Sequence, residues 1–203
     1  MKSLMHYIQE KLIIKKSTTI NYNYFPQTKQ ELQDIISQRI EQEGNEVDLN
    51  DIDVSNITDM SYLFSNFKQF NGNISNWDVS NVTNMRFIFC GCFNFNQDIS
   101  NWDVSNVKDM SYTFSGCSKF NQDISGWDVS NVTTMNSIFC DCVAFNQNIS
   151  SWNVSKVTNM DEMFSGCKSF NIDISGWDVS NVNNILFTFF GCPIKEKYKP
   201  KFK

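Results

Sequence analysis

The sequence predicts an α/β fold, a β/α solenoid of about six 25-residue turns with a parallel sheet on one face and a helical N-terminal cap. Tryptophan recurs every 25 residues, and valine, methionine and phenylalanine recur in step with it. Each repeat also contains a short alternating segment followed by a segment with helical spacing of its apolar residues. Self-similarity at a fixed period of this length is the signature of a solenoid. The tryptophans are Trp77, Trp102, Trp127, Trp152 and Trp177.

The first element of each repeat is predicted to be a short strand. In the repeat around Trp102, the residues Trp102, Asp103 and Val104 alternate between apolar and polar. Side chains of a strand point alternately to its two faces, so Trp102 and Val104 are expected inside and Asp103 outside. Strands of successive turns would then pair in parallel.

The second element is predicted to be a short helix. From Val107 the apolar residues fall at helical spacing, with Met110, Phe114 and Cys117 on one face. Ser105 is placed where an N-cap would lie, and Gly116 is expected to help end the helix.

Three segments are predicted along the chain: a helical N-terminal cap or docking segment at 1–44, the repeats at 45–192 and a basic tail at 193–203. Thr28 and Glu31 form a capping box ahead of a helix that Gly44 ends, and a first helix is expected over roughly 3–16. Residues 1–25 alternatively form a docking segment for another protein. The apolar stripe of the cap helix comprises Leu32, Ile35, Ile36 and Ile40.

The C-terminal repeat is less well protected, because its segment Asn184–Phe190 is the most apolar of its kind and no helix follows it. Either Tyr198 and Phe202 of the tail fold back over it, or two chains meet there as an end-to-end homodimer. The lysines of the tail are interpreted as a solvated end rather than a lipid or nucleic-acid anchor.

Composition and charge exclude several classes of function. The net charge is −5, and residues 45–192 carry six basic and sixteen acidic residues. This acidic body argues against nucleic-acid binding. No apolar run is long enough for membrane insertion, and no signal peptide is recognisable, so a cytoplasmic location is expected.

The repeat motif resembles that of a known family. The motif W-D-V-S-N-V-T-N-M-x-x-x-F-x-G-C-x-x-F-N-x-D-I-S, over about residues 45–192, resembles the BspA-like family of leucine-rich-repeat surface proteins. The resemblance implies a leucine-rich-repeat-like solenoid and a cell-surface or secreted protein that adheres to host proteins.

The sequence does not predict an enzyme. His6 is the only histidine, and no acid–base pair, phosphate loop or nucleophile set is recognisable. No metal site and no cofactor are expected. Five of the seven cysteines recur every 25 residues and are interpreted as a buried structural column, namely Cys92, Cys117, Cys142, Cys167 and Cys192.

Two faces are candidates for binding a protein partner of unknown identity. The outward side chains of the strand face are candidates as a partner surface, as hydrogen-bonded structural groups or, least favoured, as a calcium site. They include Asn76, Asn101, Asp53, Asp78, Asp103, Asp128, Asn153 and Asp178. The helix face varies more between repeats and carries the aromatic residues Tyr62, Phe87 and Tyr112. We therefore expect a non-catalytic protein–protein interaction module, with a self-assembling structural component or a surface adhesin as the alternatives.

Overall fold

The computed structural model describes residues 21–203, which form a stack of 25-residue coils beside a single long helix. The coils begin at residues 45, 70, 95, 120, 145 and 170 and are numbered 1 to 6 here. Equivalent residues of neighbouring coils form parallel bridges, such as the one from Asp109 to Thr134. The helix expected over roughly 3–16 and most of the docking segment at 1–25 lie outside the described residues.

The helix, α1, spans Lys29–Glu43 and confirms the predicted cap. Thr28 is its N-cap and accepts a hydrogen bond from the backbone N–H of Glu31, while Gly44 ends it at a φ of 90°. The apolar stripe lies against coil 1, with Leu32 and Ile36 fully buried. α1 therefore covers the apolar end of the stack, as the sequence predicts.

Polar contacts fix α1 to coil 1. Arg39 is 9% exposed and donates to the Asp51 carboxylate, to Glu43 and to the carbonyl of Asp48. Lys29 reaches the side chains of Asp59 and Ser61. These contacts hold the helix in one position on the coil.

The predicted α/β class is wrong, because residues 21–203 contain neither a sheet nor a helix within the coils. The segment predicted as a helix from Val107 is instead a series of β-turns. Backbone N–H groups donate to the carbonyl three residues earlier, as from Thr113 to Met110 and from Cys117 to Phe114. The only other helix in this part of the chain is a short 3₁₀ helix, Glu196–Tyr198.

Alternate residues of this segment connect each coil to the next. The N–H groups of Met110, Tyr112, Phe114 and Gly116 donate to the carbonyls 24 residues later, at distances of 2.7–3.2 Å. Between them, the N–H groups of Thr113 and Ser115 close β-turns, and that of Ser111 donates to the side chain of Asp109. We call this arrangement the ladder. It comprises residues 59–66, 84–91, 109–116, 134–141, 159–166 and 184–191.

The core is a set of stacked apolar columns between the two sides of the coils. Trp102, Val104, Met110, Phe114 and their equivalents are buried in nearly every coil. The predicted inward Trp and Val are therefore confirmed, although no strand pairing places them there. At the tryptophan side the described contacts between coils are made by side chains. Each Trp Nε1–H donates to a carbonyl of the preceding coil at 2.9–3.2 Å.

The stack is curved. Between coils 2 and 3, the rings of Trp77 and Trp102 lie 6.5 Å apart, whereas those of Phe87 and Tyr112 lie 4.3 Å apart. The spacing of equivalent rings thus grows from the ladder to the tryptophan side. The ladder forms the concave side of the stack and the tryptophan side forms the convex one.

The tail at 193–203 covers half of the C-terminal end. Ile194 is buried, and the carbonyl of Tyr198 accepts a hydrogen bond from Ile174, at the start of coil 6. Tyr198 and Phe202 pack against the core, but they do not cover the segment Asn184–Phe190 as the sequence predicts. The ladder segment of coil 6 is left open, with Leu186 64% and Phe190 68% exposed.

Candidate interaction surfaces

The predicted helix-face aromatics lie together on the concave side of the stack. The ring of Phe87 stacks on Tyr62 at 4.6 Å and on Tyr112 at 4.3 Å, with interplanar angles of 12° and 5°. Tyr62 is 47% exposed. We call these three residues the aromatic strip. The structure places them on β-turns of the ladder instead of a helix.

Arg86 borders the aromatic strip. Its guanidinium lies 5.0 Å from the ring centre of Phe87 and 6.0 Å from that of Tyr112. Cation–π contacts of this kind favour a fixed arrangement of cation and ring. Sequence reasoning missed Arg86, although it is the only arginine in the repeats and the other coils have serine, asparagine, aspartate or leucine at this position.

The backbone of the aromatic strip is left-handed. Tyr62, Phe87 and Tyr112 have φ values of 62°, 58° and 58°. These residues are the third residues of β-turns, a position at which positive φ favours glycine or asparagine. A bulky residue in this conformation costs about 1–2 kcal/mol. The equivalent residues of coils 4 to 6 are also left-handed, namely Ser137, Glu162 and Phe187.

Phe187 does not extend the aromatic strip. Ser137 and Glu162 stand between it and Tyr112, and their side chains bond to each other at 3.2 Å. Phe187 instead meets Phe190 edge to face at the open end of coil 6, with ring centres 5.8 Å apart.

The candidate aspartates of the other face are tied into the backbone on the convex side. Asp103 accepts a hydrogen bond from the N–H of Ser105, two residues later, at 3.0 Å. Such Asx turns satisfy a backbone donor locally. Asn153 makes the same bond to Ser155 at 3.2 Å. The matching pairs are Asp53–Ser55, Asp78–Ser80, Asp128–Ser130 and Asp178–Ser180. Asn76 and Asn101 are exposed beside this column.

In part of this column the hydrogen bonds lower the pKa of the carboxyl group. Bonds from Ser105 lower the pKa of Asp103, and bonds from Ser130 lower the pKa of Asp128. Asp128 in turn opposes this effect at Asp103, because like charges repel. The hydrogen bonds that one of the three interpretations requires are therefore present. In residues 21–203, no group of three or more His, Cys, Asp or Glu side chains is arranged to hold a metal ion.

Four of the five cysteines in the column are buried in the core, as predicted, whereas Cys192 is half-buried. The Sγ of Cys117 lies 3.0 Å from the carbonyl of Phe89, in the preceding coil, and Cys92, Cys142 and Cys167 make the equivalent contact. Burial raises the pKa of Cys92 to about 12. Thiols held protonated are poor nucleophiles and poor metal ligands.

A column of asparagines in the loops also has a structural role. The Oδ1 of Asn71 accepts from the backbone N–H of Asn96, and this bond repeats between each of the following coils. Asn171 ends the series by accepting from Lys195 of the tail.

Comparisons with known proteins identify a family without an assigned function. No curated protein matches the chain significantly, and no solved structure does so. No helix of the described residues is long and apolar enough to cross a membrane. A family described as "Mycoplasma protein of unknown function, DUF285" matches residues 30–139 and 122–197. Because these matches cover the coils and most of α1, the chain belongs to the DUF285 family of repeat proteins.

Proposed function

We propose that this protein is a non-catalytic binding module that recognises a protein partner through the aromatic strip on its concave side. The observation that carries the proposal is the left-handed backbone beneath Tyr62, Phe87 and Tyr112. Strain of this kind persists where the surroundings enforce it, and it is concentrated at functional sites.

The coils themselves supply a comparison. A second β-turn in the ladder segments of coils 2 to 6 has its third residue at positive φ. Glycine stands there in four coils, at Gly91, Gly116, Gly166 and Gly191, and Asp141 stands there in coil 4. At four of these five positions the repeat thus uses glycine, which is unstrained at positive φ. Ser137 forms the same ladder bond as Tyr112 does, so an aromatic ring is not required for the backbone geometry.

The ring-to-ring contacts only partly offset the strain. A stacked aromatic pair contributes about 0.5–1.5 kcal/mol, which is similar to the cost of one left-handed residue. The aromatic strip therefore adds little to folding. Tyrosine and arginine are enriched among the residues that dominate interfaces, and Arg86 lies against these rings.

The convex face is the weaker candidate. Its aspartates are used in Asx turns, and their identity scarcely changes from coil to coil. A surface that distinguishes one partner from others needs a mixture of residue types. The concave side offers this mixture, because the position of the aromatic strip carries Tyr, Phe, Ser and Glu in different coils.

Affinity capture from lysate of the source cells tests the proposal. A variant with Tyr62→Gly, Phe87→Gly and Tyr112→Gly is compared with the wild type and with a control that carries Asp78→Asn, Asp103→Asn and Asp128→Asn. We expect a partner that the wild type and the control retain and the glycine variant loses.

Each other result identifies a different function. Loss of the partner only in the control would place binding on the convex face and overturn the proposal. Recovery of the chain alone would favour a structural, self-assembling component. The resemblance to BspA-like surface proteins motivates a parallel capture from host-cell membrane extract, in which a retained host protein would favour an adhesin.

A further inference from the structure

The ladder has a direction, and its last segment is unpaired. In coil 5, the N–H groups of Met160, Glu162, Phe164 and Gly166 donate to carbonyls of coil 6 at 2.8 Å. The equivalent donors of coil 6 have no acceptor among residues 21–203. They belong to Ile185, Phe187, Phe189 and Gly191. We call this row the open edge.

The open edge presents donors without acceptors. The carbonyls of Ile185, Phe187 and Phe189 accept within the β-turns, from Thr188, Phe190 and Cys192. The carbonyls between them, those of Leu186 and Thr188, point back to coil 5 and accept hydrogen bonds from its N–H groups. The edge of an ordinary β-strand presents N–H and C=O groups in alternation. If such a strand paired with the open edge, only its C=O groups could accept, and its N–H groups would face donors.

Apolar and cationic groups surround the open edge. Ile185, Leu186, Phe187 and Phe190 are 41–68% exposed, which makes this the largest run of exposed apolar side chains in the described residues. Lys168 reaches the carbonyl of Gly191, and Lys199 lies 5.5 Å above the ring of Phe189. The tail next to the edge carries five lysines and one glutamate.

We infer that the open edge binds an extended acidic segment of a partner protein that carries alternating apolar residues. Its carbonyls and carboxylates would accept from the four N–H groups, and its apolar side chains would pack on Leu186 and Phe190. Rows of backbone N–H groups in turn conformations favour anions, and the neighbouring lysines add to the attraction. This surface is separate from the aromatic strip.

A second copy of the chain fits the open edge poorly. Two such edges meeting symmetrically would place donors opposite donors. The complementary acceptor row of coil 1 lies where α1 is held by the bonds of Lys29 to Asp59 and Ser61. A head-to-tail contact would therefore have to displace the cap helix.

Fluorescence anisotropy with the full chain tests the inference. The probe is a labelled peptide of four Asp-Leu repeats, and peptides of four Lys-Leu or four Ser-Leu repeats serve as controls. We expect the acidic peptide to bind at least about tenfold more tightly than either control, with affinity that falls as salt is added. Equal binding of the Lys-Leu peptide, or no binding of the acidic one, would overturn the inference.

Matched substitutions locate the binding. Leu186→Asp with Phe190→Asp changes exposed side chains and is expected to weaken binding of the acidic peptide at least about tenfold. Leu186→Lys with Phe190→Lys is expected to retain binding, because added positive charge replaces the lost apolar contact. Phe93→Asp with Val143→Asp alters two exposed apolar residues elsewhere, 41% and 43% exposed, and is expected to leave binding of the acidic peptide unchanged. Equal weakening by this remote pair would contradict the assignment to the open edge.

Two further measurements separate this inference from its alternatives. Hydrogen exchange at Ile185, Phe187, Phe189 and Gly191 is expected to slow on addition of the acidic peptide, and unchanged exchange would overturn the inference. Sedimentation of the free chain reports self-association. A dimer that Leu186→Asp dissociates would show that a second copy occupies the edge. The glycine variant of the aromatic strip is expected to bind the peptide normally, so failure here leaves the proposed function standing.

Discussion

The indole N–H of Trp102 donates to the carbonyl of Ile74 in the preceding coil, 3.2 Å away. The same carbonyl accepts the backbone N–H of Trp77, which occupies the equivalent position in its own coil. One buried acceptor therefore serves a β-turn and a contact between coils. Coil 1 follows α1 instead of another coil, and the tryptophan position there is Ile52.

The first prediction concerns this bond. Trp127→Phe removes the donor to the carbonyl of Ile99 and part of the buried ring, and we expect it to lower the free energy of unfolding by about 2 kcal/mol. Denaturant titration measures the loss. Benzothienylalanine at residue 127 keeps the ring size but lacks the N–H, so it should cost about 1 kcal/mol. Wild-type stability of the benzothienyl protein would contradict the role of the bond.

The second prediction is that a glycine variant is more stable than the alanine variant at the same position, the reverse of the usual order. At Tyr112 the backbone is left-handed, so we expect Tyr112→Gly to be about 1 kcal/mol more stable than Tyr112→Ala. Thermal unfolding of the two variants measures the difference. The same pair at exposed Lys119, which has no positive φ, should show alanine to be at least as stable as glycine. An alanine variant more stable than glycine at Tyr112 would refute the strain argument.

The third prediction concerns acid stability. The folded protein lowers the pKa of Asp103 through its bonds with Ser105, so this stabilisation is present above about pH 4 and is lost as the pH falls through the folded pKa. Asp103→Asn keeps the Asx turn without a titrating group, and we expect a smaller loss of stability on acidification. Asn153→Asp should have the opposite effect.

Thermal unfolding between neutral and acidic pH measures both substitutions. At neutral pH each is expected to change the stability by less than about 0.5 kcal/mol. Identical acid sensitivity in the two variants would argue that the Asx turns do not shift these carboxyl groups.

The fourth prediction concerns the thiols. Burial raises the pKa of Cys117 and Cys142 well above the ordinary value, so little thiolate exists near pH 8. We expect iodoacetamide to leave the four buried cysteines of the column unmodified in the folded protein, while half-buried Cys90, Cys140 and Cys192 react slowly. All seven cysteines should react in guanidinium chloride. Peptide mapping by mass spectrometry reads the result, and labelling of Cys117 without unfolding would contradict the burial.

The period and the inward columns could be predicted from the sequence, but the elements between them could not. Val107, Met110, Phe114 and Cys117 are three or four residues apart, which a helix and a series of four-residue β-turns both produce. The recurring glycine, as at Gly116, marks a turn residue with positive φ in this structure and was interpreted as a helix end.

The candidate site could also be predicted only in part from the sequence. The aromatic strip was predicted as a group because its residues share one repeat position. Its left-handed backbone could not be predicted, since it arises when alternate N–H groups turn toward the neighbouring coil. For the aspartates, the sequence predicts hydrogen bonds to neighbouring groups as one of three alternatives, and the structure shows these bonds to the serines two residues later.

The one-way ladder has an electrical axis of its own, although other backbone bonds between coils, such as the one from Lys108 to Thr83, run the opposite way. Dipoles of adjacent strands in an ordinary sheet alternate and nearly cancel, whereas aligned hydrogen bonds add along an α-helix. The ladder bonds all run from an N–H in one coil to a C=O in the next, so their dipoles align along the stack. Coil 6 forms the positive pole and coil 1 the negative pole, where Lys29 lies. Coils added in the middle would separate these poles without changing either one.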